Sequence, residues 1–144
     1  MAEPLKVIDL DQQMIIFAAL RLQGFGDGDA ATLQFSGPAY HYKKGSDGQG
    51  VRSKNFDRSA LLTVRLMQGV SVHDLLSAIY NADYKSSNGK GVAGVMIKDG
   101  QGTTLLTGTG AYIEAPPDIT IGAEPGVREW KIRIDDLGGV WGSN

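Results

Sequence analysis

The side chains able to do chemistry in this chain are few and scattered. Two histidines, His41 and His73, are its only side chains that ordinarily exchange protons near neutral pH. His41 falls on the polar face of a strand-like run and reads as a solvated histidine; His73 falls in the first turn of a helical pattern and reads as exposed. There is no cysteine, which excludes disulfides, thiolate metal sites and cysteine nucleophiles. No Gly-x-Ser-x-Gly occurs, and the carboxylates fall in turns instead of converging. Gly24-Phe25-Gly26 has the spacing of a phosphate loop, but Ala30 onward does not offer the helix that would complete a βαβ unit. The residues point to no enzyme, no cofactor and no metal.

The other chemistry open to such residues is recognition between charged surfaces. Its best carrier is the stretch Lys43 to Met67, KKGSDGQGVRSKNFDRSALLTVRLM, which reads as a strand end, a long charged loop over residues 44–58 and an alternating strand. A plain hairpin connection needs about two to five residues. A loop of this length carrying Asp47, Arg52, Lys54, Asp57 and Arg58 suits contact with a second chain; a solvated, mobile hairpin tip remains the plainer alternative. Trp141, in the glycine-rich tail 138–144, has little local reason to be apolar and suggests docking, onto the same domain or a neighbour.

These residues need elements to hold them. Residues 1–12 form a mixed lead-in without clear period and read as an N-terminal arm. Gln13 to Gln23 reads as one strand, Gly24 to Asp29 as a turn, and Ala31 to Ser36 as a strand with Leu33 and Phe35 inward. In Ala39 to Lys44 the tyrosines share one face; a stacking platform for single-stranded nucleic acid and simple cross-strand packing both fit, the second better. Residues 59–67 alternate, with Ala60, Leu62, Val64 and Leu66 on one face. The one clear helix spans Val72 to Asp83, with Ser71 at the N-cap, Asp74 completing a variant capping box, and Val72, Leu75, Leu76 and Ile79 as its apolar stripe. Strands follow at Val92–Lys98 and Thr103–Glu114, joined at Asp99–Gly102, with Gly108 and Gly110 suggesting a bulge or close approach. After Pro116-Pro117, Asp118 to Ile121 is at best an edge piece. Val127 to Asp135 then places Trp130, Ile132 and Ile134 inward. The architecture is mainly β with one helix, a β-sandwich or partly open barrel of about seven or eight strands.

The 144 residues (15.3 kDa) suit one domain, residues 1–144, that buries about 68–70% of its unfolded surface. A net charge of −2, from 14 basic and 16 acidic residues, disfavours a dedicated DNA binder, which needs cations to neutralise phosphates. No apolar run reaches the roughly 18 residues of a membrane span. MAEPLKVIDL lacks the pattern of a signal peptide, so synthesis in the cytosol is expected. The 20 glycines read as tight turns between short strands.

The ordered set GFGDGD (24–29), GSDGQGVRSKNFDRSALLTVRL (45–66), VSVHDLLSAIYNAD (70–83), VMIKDGQGTTL (95–105) and AYIEAPPDITIGAEPGVREWKIRIDDL (111–137) resembles the tail tube proteins of contractile-tailed bacteriophages. The resemblance covers residues 24 onward; the first twenty residues depart from the regular Val/Thr-rich strand of that family. It implies subunits in stacked hexameric rings, one sheet of each joining its neighbours into a barrel around a lumen, in a virion tail assembled in the host. It also implies as partners the tail sheath protein, a tape-measure protein in the lumen, and baseplate and tail-terminator proteins, with DNA passing without specific binding. The tubes of tail-like bacteriocins and type VI secretion systems share this architecture, and a monomeric β-sandwich binding module is the competing class.

Overall fold

The computed structural model describes residues 13–26, 29–86, 91–100 and 102–142. The expected N-terminal arm, residues 1–12, and the Asn88-Gly89 turn lie outside them. The strands are β1 (Gln13–Phe17), β2 (Leu20–Arg21), β3 (Ala31–Phe35), β4 (Tyr40–Lys44), β5 (Gly50–Lys54), β6 (Ala60–Met67), β7 (Ala93–Asp99), β8 (Leu105–Ala115), β9 (Val127–Ile134) and β10 (Asp136–Val140), with helix α1 (Val72–Lys85) between β6 and β7. All named pairings are antiparallel, in the order β2-β1-β7-β8-β9-β6-β3, with β10 also on β8 and with β4-β5 as a separate two-stranded sheet. Mainly β with one helix is the class that alternation in the sequence gives. Among the described residues the sheet does not close on itself.

β8 forms the corner. Its first half pairs with β7 and β10, its second half with β9, and the register with β7 slips between Ala93 and Val95. Gly110 sits at that slip with φ +67°, left-handed backbone that a side chain rarely adopts. A Cβ on Gly108 would stand 2.5 Å from Ile134 Cγ2, so β8 also needs the absent side chain for close approach. The bend folds the β1/β7 side over the β6/β9 side, as in sandwiches whose strands switch sheets at bulges. Between them lie Ile15, Phe17, Leu62, Val64, Leu66, Leu106, Trp130, Ile132, Ile134 and Leu137, all buried. The strict alternation of β6 and the inward Trp130, Ile132 and Ile134 are as the sequence predicts.

Several local readings are corrected. Residues 13–23 are a hairpin, not one strand: Phe17 pairs with Leu20 around Ala18 and Ala19, whose φ angles are +53° and +64°, the mirror-image turn that matches strand twist. Residues 50–54, expected inside a loop, are strand β5 paired with β4, and strand β10 (Asp136–Val140) takes in the first three residues of the expected tail 138–144. These three unforeseen strands (β2, β5 and β10) raise the count to ten among the described residues.

The expected helix stripe holds at Val72, Leu76 and Ile79, with His73 buried beside it, whereas Leu75 is half exposed. The capping box does not form: Ser71 is in the helical region and makes no side-chain cap. The helix starts instead through backbone turns, His73 N–H to the Val70 carbonyl (3.3 Å) and Asp74 N–H to that of Ser71 (3.1 Å). His73 is not an exposed first-turn residue. Its Nδ1 accepts from Trp130 Nε1–H at 3.0 Å, so its Nε2 carries the proton and donates to the Met67 carbonyl at 2.8 Å. One neutral imidazole thereby ties the helix to β9 and to the end of β6.

Candidate assembly interface

The β4–β5 hairpin stands apart from the sandwich. Every residue of both strands is exposed, and it joins no other sheet. Five residues at about 3.4 Å each make strands about 17 Å long, so the hairpin is an arm. At its tip Gly45 N–H bonds the Gln49 carbonyl (2.8 Å), and Gln49 N–H bonds Asp47 Oδ1 (3.1 Å), an Asx turn. At its base Asn55 N–H bonds the Ala39 carbonyl (2.7 Å) and Asn55 Nδ2 that of Pro38 (3.0 Å). The chain re-enters the body by two further Asx steps, Asp57 N–H to Asn55 Oδ1 (3.1 Å) and Ser59 N–H to Asp57 Oδ1 (3.0 Å). Local side-chain bonds thus fix both ends of the arm.

Along the arm, register pairs Tyr40 with Lys54 and Tyr42 with Arg52. Alternation puts these four on one face and His41, Lys43, Val51 and Ser53 on the other. The Arg52 guanidinium lies 4.3 Å from the Tyr40 ring centre, and Lys54 Nζ lies 5.5 Å from that of Phe56, within cation–π range. Tyr42, Val51 and Phe56 are 69%, 63% and 83% exposed. A two-stranded hairpin of this kind is marginal in water alone, and among the described residues Tyr42, Val51 and Phe56 stay mostly exposed.

The residues singled out in the sequence separate into two places. Asp47, Arg52 and Lys54 are on the arm. Asp57 and Arg58 are at its root: Asp57 has its carboxyl held below the usual range by the Ser59 hydroxyl first, then by the Ser59 N–H, with the Arg133 charge adding to both. Arg58 donates to the Leu137 carbonyl at 3.3 Å and lies 5.2 Å from the Phe35 ring centre. Trp141 packs against that same Phe35, ring centres 5.7 Å apart, and Gly142 N–H bonds Thr104 Oγ1 (3.0 Å). The tryptophan therefore docks on its own domain while keeping 56% of its surface exposed. It stands at the rim of an apolar cleft of about 660 Å³ between β1/β7 and β3/β6, where Ile15, Leu33, Leu62 and Leu106 face each other.

Sequence reasoning missed a second exposed element. Residues 116–125 make no hydrogen bond to other described residues, and Ile119 and Ile121 are 63% and 93% exposed. The apolar-polar-apolar Ile119-Thr120-Ile121 is the signal that was available. Among the described residues no three of His, Asp and Glu gather as a metal site. What the arrangement offers is contact surface.

A family model described as the bacteriophage PhiTE tail tube protein matches residues 22–142. The structural protein ORF10 of Pseudomonas phage KPP10 is 24% identical over 123 residues, 85% of this chain and 71% of that protein. Among solved structures, the tube-terminating cap of the anti-feeding prophage aligns with a TM-score of 0.60 at 10% identity, over 96% of this chain and 93% of that one. The sheath–tube complex of an extracellular contractile injection system, PVC, in its extended state gives 0.55 at 11% identity, over 93% of each. The sheath/tube terminator of the same system gives 0.55 at 12%, over 92% and 96%. These likenesses establish a shared fold.

Proposed function

The chain belongs to the bacteriophage tail tube protein family and is a structural protein of a contractile phage tail, and we propose that its subunits close into hexameric rings stacked as the hollow inner tube through which DNA passes. The observation that carries this reading is the arm: a basic, aromatic hairpin every strand residue of which is exposed. Contacts that repeat around a ring close by rotation, and contacts along the axis stay open and build a filament. The arm, with Asp47, Arg52 and Lys54, reaches a neighbouring subunit or ring, with Asp57 and Arg58 anchoring its root. Trp141, half exposed beside Phe35, adds an apolar contact. Within the ring the open sheet continues into neighbouring sheets, which leaves no free edge.

In the tail the tube meets sheath protein outside, a tape-measure protein in its lumen, and baseplate and terminator proteins at its ends. The solved structures it is similar to are themselves described as sheath–tube and terminator assemblies. An overall net charge of −2 suits a lumen that does not hold phosphates. The role is non-catalytic, in the virion, after synthesis in the host cytoplasm. Tail-like bacteriocins and injection systems share the fold, but the family match favours a phage.

The test shortens the arm by replacing Tyr42–Arg52 with Asn-Gly, so that His41 and Ser53 flank a two-residue turn. The shortened subunit is expected to melt within about 3 °C of the parent, since it loses no buried side chain, and to form no tubes in electron micrographs after concentration or nucleation on baseplate. Full-length tubes from that variant would refute the role given to the arm.

A further inference from the structure

The charge of the chain is divided unevenly. Residues 40–54 hold Lys43, Lys44, Arg52 and Lys54 against one acid, Asp47; of the net charge of −2 the arm therefore contributes +3 and the rest −5. The complementary exposed segment is 116–126, PPDITIGAEPG, which has two acids, Asp118 and Glu124, and no cation. Neither acid has an ion-pair or hydrogen-bond partner among the described residues. Glu114 is paired with Arg133 (3.2 Å) and Glu129 with Arg65 (3.5 Å), whereas this segment combines unpaired acids with the exposed Ile119 and Ile121. Its far end is fixed: Gly126 exchanges backbone and side-chain bonds with Gln68 at 2.9 and 3.1 Å.

Resting on the assembly reading above, we propose that the segment Asp118–Glu124 of one subunit is the docking strip for the arm of another copy of this chain. Ile119-Thr120-Ile121 has strand-forming residues and unpaired backbone, and the β4–β5 arm has two open edges. Adding this segment along an arm edge satisfies backbone groups on both. With Ile119 and Ile121 over Val51 on one face, alternation sets Asp118 and Glu124 on the other, against Arg52 and Lys54. Exposed partners on both sides explain why neither strip is buried in the subunit.

A charge exchange tests the pairing. Arg52→Glu with Lys54→Glu reverses the arm to a net −1, and Asp118→Lys with Glu124→Lys reverses the strip. All four side chains are on exposed residues, and thermal melting of each unassembled variant verifies its fold. Like charges brought together at a contact are costly, so each double variant is expected to form about tenfold less sedimentable tube than the parent. The quadruple variant is expected to recover at least about half of the parental yield. As a second readout in this cysteine-free chain, Ser53→Cys and Ile121→Cys subunits, whose side chains share the Val51 face of the pairing, mixed before assembly should give a disulfide-linked dimer in tubes on mild oxidation. Double variants that assemble normally, or a quadruple variant no better than either double and no cross-link, would overturn the pairing while leaving the tube reading intact. A parent subunit that forms no tube even on baseplate would overturn both.

Discussion

Replacing His73 with leucine isolates the buried imidazole as the tie between α1 and the sheet. The substitution roughly keeps volume but strands two groups, the Trp130 Nε1–H and the Met67 carbonyl, which His73 meets at 3.0 and 2.8 Å. Trp130 is 2% exposed and His73 5%, so water does not readily replace the lost partner. A buried polar group without one costs about 1–3 kcal/mol, and the two together about 2–6 kcal/mol. In a domain of this size about 1 kcal/mol moves the midpoint by roughly 4 °C, which puts the drop at about 8–24 °C. Thermal unfolding of dilute, unassembled subunit is the assay, since assembly would add its own stabilisation. Trp130→Phe leaves His73 Nδ1 unpaired. Removing both partners of that bond should therefore cost less than the two single changes added together, by about 1 kcal/mol. A His73→Leu midpoint within about 2 °C of the parent, or strictly additive costs, would refute the tie.

Two further expectations concern the subunit alone. Ala18 and Ala19 both hold positive φ, each at a cost of about 1 kcal/mol for a side chain; Asn-Gly in their place should raise stability by about 1 kcal/mol in urea unfolding, and a loss of stability would contradict the turn assignment. Asp57 has its carboxyl lowered by the Ser59 hydroxyl and N–H and by Arg133. The sign follows from a folded value below the unfolded one: this contribution is present above the ordinary carboxylate value and is lost as pH falls through the lowered one. Asp57→Asn should flatten the acid limb of the stability profile there, and an unchanged limb would argue against the bond.

Where one side of an element is buried, the sequence carries its imprint. β6 and β9 alternate because one face of each meets the core, so period 2 marks both their extent and their inward residues. β5 has no buried face, and Val51-Arg52-Ser53-Lys54 therefore carries no hydrophobic alternation to find; only pairing with β4 makes it a strand. The Ala18-Ala19 turn escapes because alanine carries no turn signal, its positive φ being imposed by the flanking pairing. The helix stripe holds at Val72, Leu76 and Ile79, while His73 and Tyr80 join it and Leu75 leaves it. A histidine gives no apolar signal, yet with both ring bonds satisfied it packs as a core residue. The Arg58–Phe35–Trp141 stack joins positions far apart in the chain, a contact that no local pattern encodes.

The charges on the arm also bear on what must not happen before assembly. Two free hairpins with open edges would pair with each other, since each offers unpaired backbone. Lys43, Lys44, Arg52 and Lys54 set like charge against like in such an encounter. An acidic strip removes that penalty. The cations that discourage arm-to-arm pairing are thus the ones that select an acidic edge, and one set of side chains serves both to keep subunits apart and to choose where they join.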